Sequence, residues 1–265
     1  MQEPVIILGL GFTTQRLARI LRERDIPVYA IVRGVERFGE FAALGVQLRS
    51  LDEPDVPSGA VLVHTIPPLP EPEKTLLRRL IRRLSPRRIV YISSTGVYGA
   101  QTHVDESSLA SAGDDKGRAR VDDEEWIARD GGWTSLILRS AAIYGPGRGI
   151  HMRIREGKLP RGAGGVVSRI HVDDLAALLF CGIFSVLEGA FAVADDLPAS
   201  SEEVAEWCAN LMRITMPDDS APGFPVAGRH VDGKKIRELL GVRLRYPSYK
   251  EGIAASLLEE SLGGR

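Results

Sequence analysis

Short apolar runs separated by amphipathic stretches set the rhythm of this chain. Val5, Ile6, Ile7 and Leu8 form the first run, the signature of a strand buried on both faces. Behind it, Leu17, Ala18 and Leu21 share one helical face, while Gln15, Arg16, Arg19 and Arg22 take the other. Residues 28–32, 46–48, 60–63 and 88–92 repeat the strand pattern, and Leu76, Leu77, Leu80, Ile81 and Leu84 recur at helical spacing between the last two. Strands alternating with helices predict a parallel sheet covered on both faces. Later, residues 172–183 read as a helix and 190–193 as a closing strand. Ser200 and Glu203 form a capping box opening a helix that buries Val204, Ala205, Cys208, Leu211 and Met212. A loop with three prolines is expected over 217–225, a short helix over 234–240 ended by Gly241, and a last helix opened by 246–252.

Composition narrows the classes. The 265 residues suffice for one large domain or a domain with a small partner. With 34 Lys and Arg against 35 Asp and Glu, the near-neutral balance argues against nucleic acid as the main partner. Six arginines fall between Arg78 and Arg88, but the leucines among them make a solvated helix face the expectation. Cys181 and Cys208, each in an apolar helical stretch, read as small core residues rather than a disulfide or metal pair. No secretory leader precedes the first strand and no apolar run spans a bilayer, so a cytoplasmic protein without a membrane partner is expected.

Candidate chemistry begins at Gly9-Leu10-Gly11, between the first strand and its helix. Gly9 permits the tight turn, Gly11 lets a pyrophosphate approach the backbone, and the helix N-terminus offers N–H groups to that anion. Thr14 stands where a third glycine would allow close packing, though its hydroxyl is within reach of a phosphate. After the second strand comes Arg33, with Arg37 one helical turn on, where an NAD-selective fold carries an acid for the ribose 2′-OH. A guanidinium suits a 2′-phosphate, so NADP is expected, with NAD the other option. Asp52 follows the third strand on the adenine side; His64, at the end of the fourth, and Ser93 join the cofactor-side candidates, although a lone histidine is more often merely packed.

Three later segments resemble those of extended short-chain dehydrogenases/reductases, the group of nucleotide-sugar epimerases and dehydratases. They are Ser93-Ser94-Thr95-Gly96-Val97-Tyr98-Gly99, Ile137-Leu138-Arg139 through Tyr144-Gly145-Pro146-Gly147, and Ile170-His171-Val172-Asp173-Asp174-Leu175-Ala176. With the glycine turn they make four matches in order over about two-thirds of the chain. The resemblance implies that the Ser94 hydroxyl binds the substrate oxygen. It also implies a Tyr-x-x-x-Lys pair, but the corresponding residues are Lys116 and Arg120, and no tyrosine lies between Tyr98 and Tyr144. Arg120 can hold a ribose hydroxyl but cannot give up a proton. Three readings stay open: Lys116 acts as the base, Tyr98 swings in from the fifth strand's end, or the site binds cofactor without turning it over.

The expectation is therefore an α/β, Rossmann-type doubly wound parallel sheet over residues 1–146 and 166–198. A small C-terminal substrate lobe takes 147–165 and 199–265, with 147–165 read as a basic loop over the crevice. The expected function is an NAD(P)-dependent oxidoreductase, epimerase or dehydratase acting on a small polar, sugar-derived molecule. A non-catalytic NADP-binding sensor is the alternative, and a homodimer is left open.

Overall fold

Each early apolar run becomes a strand, because every position in it is needed on one of two covered faces. The strands are β1 (Val5–Leu8), β2 (Val28–Val32), β3 (Gln47–Ser50), β4 (Val61–His64), β5 (Arg88–Ser94), β6 (Thr134–Ser140) and β7 (Gly189–Val193). They form one all-parallel sheet in the order β7-β6-β5-β4-β1-β2-β3. Helices α1 (Phe12–Arg22), α2 (Gly39–Ala43), α3 (Glu73–Leu84), α4 (Asp115–Arg129) and α5 (Val172–Ile183) are interleaved with them. The Rossmann-type fold is confirmed. This computed structural model describes all residues except Met1, Glu53, Asp130, Ala163, Gly164, Asp219, Ala227, Gly264 and Arg265.

The strand order reverses at β1, which pairs with β2 on one side (Val5 beside Val28) and β4 on the other (Val5 beside Val61). Crevices for ligands open beyond the carboxyl ends of strands at such a reversal. Ile6, Leu8, Ile31, Leu62, Ile89 and Tyr91 from the sheet pack with Leu80, Ile81 and Leu84 of α3. Arg88 starts β5 almost wholly buried, its guanidinium donating to the carbonyls of Gly182 and Leu187 and to the Thr134 and Ser185 hydroxyls.

Contacts divide the chain into two compact units, one of residues 1–100, 109–139 and 176–191, the other of 101–108, 140–175 and 192–265. The second unit holds α6 (Ser201–Met212), α7 (Lys234–Leu240) and α8 (Tyr249–Gly263), whose core includes Tyr144, Val204, Cys208, Tyr249 and Ile253. Ser200 caps α6 by accepting from the Glu203 N–H at 3.0 Å, but the Glu203 carboxylate accepts instead from the Tyr249 hydroxyl at 3.1 Å. Only half of the expected capping box forms.

Several local expectations need correction. The stretch read as a loop over 147–165 contains a helix, Ile150–Arg155, and a strand, Leu159–Gly162. That strand pairs in parallel with Gly223–Val226, which begins within the other expected loop. Outside the main sheet, Arg169–His171 pairs with Ala142–Tyr144. Partners for such short strands come from distant sequence, which local pattern cannot supply. Cys208 is buried as expected, whereas Cys181 is half-buried. Among the described residues no helix is long and apolar enough to cross a membrane.

Candidate active site

The two glycines of the first turn serve different ends. Gly9 adopts φ +89°, and a Cβ there would lie 3.1 Å from Ile66 Cγ1, so the protein itself requires glycine. Gly11 has an ordinary φ of −94°, and a Cβ on it would meet nothing within 4 Å. Nothing inside the protein demands glycine there; the open approach to its backbone fits a pyrophosphate lying against the start of α1. Thr14, nearly inaccessible, accepts from the Gly11 N–H at 2.8 Å and donates to the Gly9 carbonyl at 2.7 Å. Its hydroxyl thus ties the turn to the helix.

Beside this turn a cavity of about 630 Å³ opens at the carboxyl ends of the first four strands. Gly9, Arg33, Asp52 and Ile66 line it from the sheet side, and α3 contributes Leu76, Leu77, Arg79, Leu80 and Arg83. Arg37 stands on a 3₁₀ turn, Val35–Phe38, outside that lining. Leu76 is 58% exposed on this wall rather than packed in the core. The arginine-rich face of α3 is therefore not simply solvated; its Arg79 and Arg83 border the cavity.

At the end of β5 the remaining candidates gather. Ser93 is buried, and among the described residues its hydroxyl has no hydrogen-bond partner. Ser94 is half-buried; its oxygen accepts from the Gly96 N–H at 3.2 Å and caps the 3₁₀ turn Thr95–Tyr98. The Ser94 proton stays available for donation. The first turn of α4 comes very close to this segment, since a Cβ on Gly117 would sit 2.9 Å from the Gly96 carbonyl oxygen. Asp114 accepts from the Gly117 N–H at 2.7 Å and fixes that turn. Lys116 is exposed, and Arg120 lies four residues on, on the same helical face. Arg120 donates to the Tyr91 hydroxyl and the Ile92 carbonyl, both at 3.3 Å, so its guanidinium is held at β5.

Tyr91 and His64 were not suggested by sequence as a pair. Their rings stack with centroids 4.9 Å apart. Burial, helped by the nearby Arg120 charge, pushes the His64 pKa down to about 3, so the imidazole is neutral near pH 7. Burial likewise pushes the Tyr91 phenol up to about 12, against the pull of Arg120. The one available signal for Tyr91 was a phenol inside the apolar run of residues 89–92. Tyr98 is fully buried, with the Arg139 guanidinium 5.1 Å from its ring centroid and Arg139 paired at 2.8 Å with Glu124. The structure thus brings Ser94, Lys116 and Arg120 to one region and places Tyr98 in a buried cluster.

No protein-family model matches the chain. A stretch of 141 residues is 30% identical to the 3-diazoavenalumate denitrifying reductase of a Streptomyces species, covering 44% of this chain and 45% of that protein. The chain spans about half the length of the curated relatives it matches. A conserved protein of unknown function from Silicibacter pomeroyi superimposes with a TM-score of 0.83 at 26% identity, over 97% of this chain and 99% of the other. A putative NAD-dependent epimerase/dehydratase from Methylobacillus flagellatus gives 0.78 at 25% identity, over 98% and 100%. In fold and in these matches the chain is similar to extended short-chain dehydrogenases/reductases. More distant members share the fold alone, such as Bordetella bronchiseptica WbmG in complex with NAD and UDP, with a TM-score of 0.78 at 14% identity over 100% and 96%.

Proposed function

We propose that the chain is an NADP-dependent oxidoreductase of the epimerase/dehydratase kind, acting on a small polar, sugar-derived or otherwise carbonyl-bearing molecule. The observation that carries this reading is Arg120, held on Tyr91 and Ile92 at the end of β5 and one helical turn from Lys116. A nicotinamide dinucleotide bound along the glycine turn supplies or accepts the hydride. The Arg120 guanidinium, already oriented, donates to the nicotinamide ribose hydroxyls. Ser94, whose oxygen is engaged by the Gly96 N–H, donates its proton in a hydrogen bond to the substrate oxygen. Lys116 carries the proton that this oxygen takes up on reduction, in the place of the missing tyrosine.

Steady-state assays with NADPH and a panel of small aldehydes, ketones, nucleotide-free sugars and an aromatic diazo acid test the proposal. The last probe follows from the Streptomyces relative's name as a denitrifying reductase. Turnover that falls at least tenfold in Lys116→Ala, with dinucleotide affinity retained, is the expected result; an unchanged rate overturns the role of Lys116. A second reading is favoured by the same departure: Arg120 cannot exchange a proton at neutral pH. In that reading the chain binds NADP(H) as a sensor. It predicts tight binding of NADPH without turnover of any panel member.

A further inference from the structure

Of the six arginines between Arg78 and Arg88, four are engaged with other parts of the protein. Arg78 pairs with Asp122 and Asp123 at 2.8 and 3.0 Å. Arg82 lies over the Trp126 ring, 5.7 Å from its centroid. Arg87 pairs with Glu3, and Arg88 is spent on two carbonyls and two hydroxyls inside the fold. Arg79 and Arg83 are different. Both are exposed, neither has a hydrogen bond, ion pair or ring contact among the described residues, and both line the cavity at the strand ends. Arg33, which faces the same cavity from the end of β2, is likewise without a partner.

A folded chain seldom directs three unpaired guanidiniums into one cavity without an anion to receive them, because like charges placed together repel. Residues 79 and 83 are separated by four positions, so their side chains leave α3 on one face. The cavity also offers Ile66, Leu77 and Leu80 as apolar walls for a flat ring, and Asp52 as an acceptor for amine or hydroxyl protons. An adenosine bearing a phosphate on its ribose answers all three features. Resting on the NADP reading above, we propose that α3 supplies the residues that discriminate NADP from NAD. Arg79 and Arg83 hold the 2′-phosphate together with Arg33, so the phosphate is received between two elements rather than at the end of β2 alone.

Titration calorimetry with NADPH, NADH, 2′,5′-ADP and 5′-AMP tests this on the wild type, Arg33→Ala, the double variant Arg79→Ala/Arg83→Ala and, as a control, Arg82→Ala. A charge-assisted bond to phosphate is worth enough for a loss of about 10- to 100-fold in affinity. The double variant should lose that much for NADPH and 2′,5′-ADP, with NADH and 5′-AMP changed by no more than about twofold, and Arg82→Ala should bind all four ligands like the wild type. Equal losses for all ligands, or no loss, in the double variant overturn the proposal while a wild-type preference for NADPH keeps the NADP reading. A wild type that binds NADPH and NADH equally overturns both. Because Arg79 and Arg83 hold nothing in the fold, a melting temperature unchanged from wild type confirms that a lost affinity is a lost contact.

Discussion

Arg79 and Arg83 in the first unit and Arg169 in the second put the same guanidinium to opposite ends. Arg169 is 5% exposed and engaged inside the fold, donating to the carbonyls of Val167 and Ala199 and to the Ser201 hydroxyl at 2.7 to 3.1 Å. Two carboxylates elsewhere in that unit are engaged as well. Glu260 accepts from the Gly147 N–H, His151 and Arg155, and Asp174 accepts from the N–H groups of Arg245 and Tyr246. In the first unit several groups near the strand ends have no partner among the described residues: three arginines on the cavity, the Ser93 hydroxyl, and the open face of Gly11. Polar groups consumed internally hold a fold together; those left over at a crevice mark where a ligand completes the structure.

Replacing guanidiniums puts the contrast under the greatest stress. Arg169→Leu should lower the free energy of unfolding by about 3–5 kcal/mol, because buried acceptors lose their donor. Arg79→Ala should change it by less than about 0.5 kcal/mol, as at an ordinary surface site. Urea denaturation of both variants measures the difference, and equal effects break the comparison.

Acidity separates the units next. His64 is held at about 3 in the fold against 6.5 when unfolded. The unfolded chain binds the proton first, so this contribution is complete above pH 6.5 and declines as pH falls toward 3. By pH 5 the loss is about 2 kcal/mol, at about 1.4 kcal/mol per pH unit. His64→Gln should remove that acid-side slope. Asp195 in the second unit has the opposite sign: burial raises its carboxyl from 3.8 to about 8. The folded form keeps the proton that the unfolded chain has released, so its contribution is lost as pH rises from about 4 to 8. Asp195→Asn should flatten that limb, as followed by the midpoint of denaturation against pH.

A third substitution sharpens the account of the site itself. Gly117→Ala drives a Cβ against the Gly96 carbonyl and displaces α4 from the Ser94 turn. The expected cost is about 1–3 kcal/mol in stability, together with a larger proportional fall in turnover than in dinucleotide affinity, since Arg120 and Ser94 lose their shared placement. Parallel assays of turnover and binding read the two losses separately. The smallest effect is expected at Arg37, which lies outside the cavity lining: Arg37→Ala should leave NADPH affinity within about twofold of wild type.

The strands β1, β2, β4 and β5 were legible because each is a run of apolar residues long enough to cross a two-sided core, and the glycine turn because it stands between a strand and an amphipathic helix. The four motifs in order carried the family. Local pattern failed where the partner was remote. Leu159–Gly162 and Gly223–Val226 become strands only by pairing with one another, and each had read as loop. The same reason explains why spacing did not show that the exposed face of α3 borders a cavity. Helical spacing shows which residues point away from the core, but it does not tell solvent from cavity. The positions of Arg79 and Arg83 depend on where β1 to β4 end beside them.

By itself, then, the sequence determined the sheet and its first turn, since these follow from side-chain type and local periodicity, while Lys116 and Arg120 stand out only through the resemblance to the family. Tertiary structure alone decided what those charges meet. Arg120 is set against Tyr91 and Ile92, Tyr98 against Arg139, and Thr14 against Gly9. Such pairings join residues whose separation along the chain bears no relation to their distance in space, and only the packed fold brings them together.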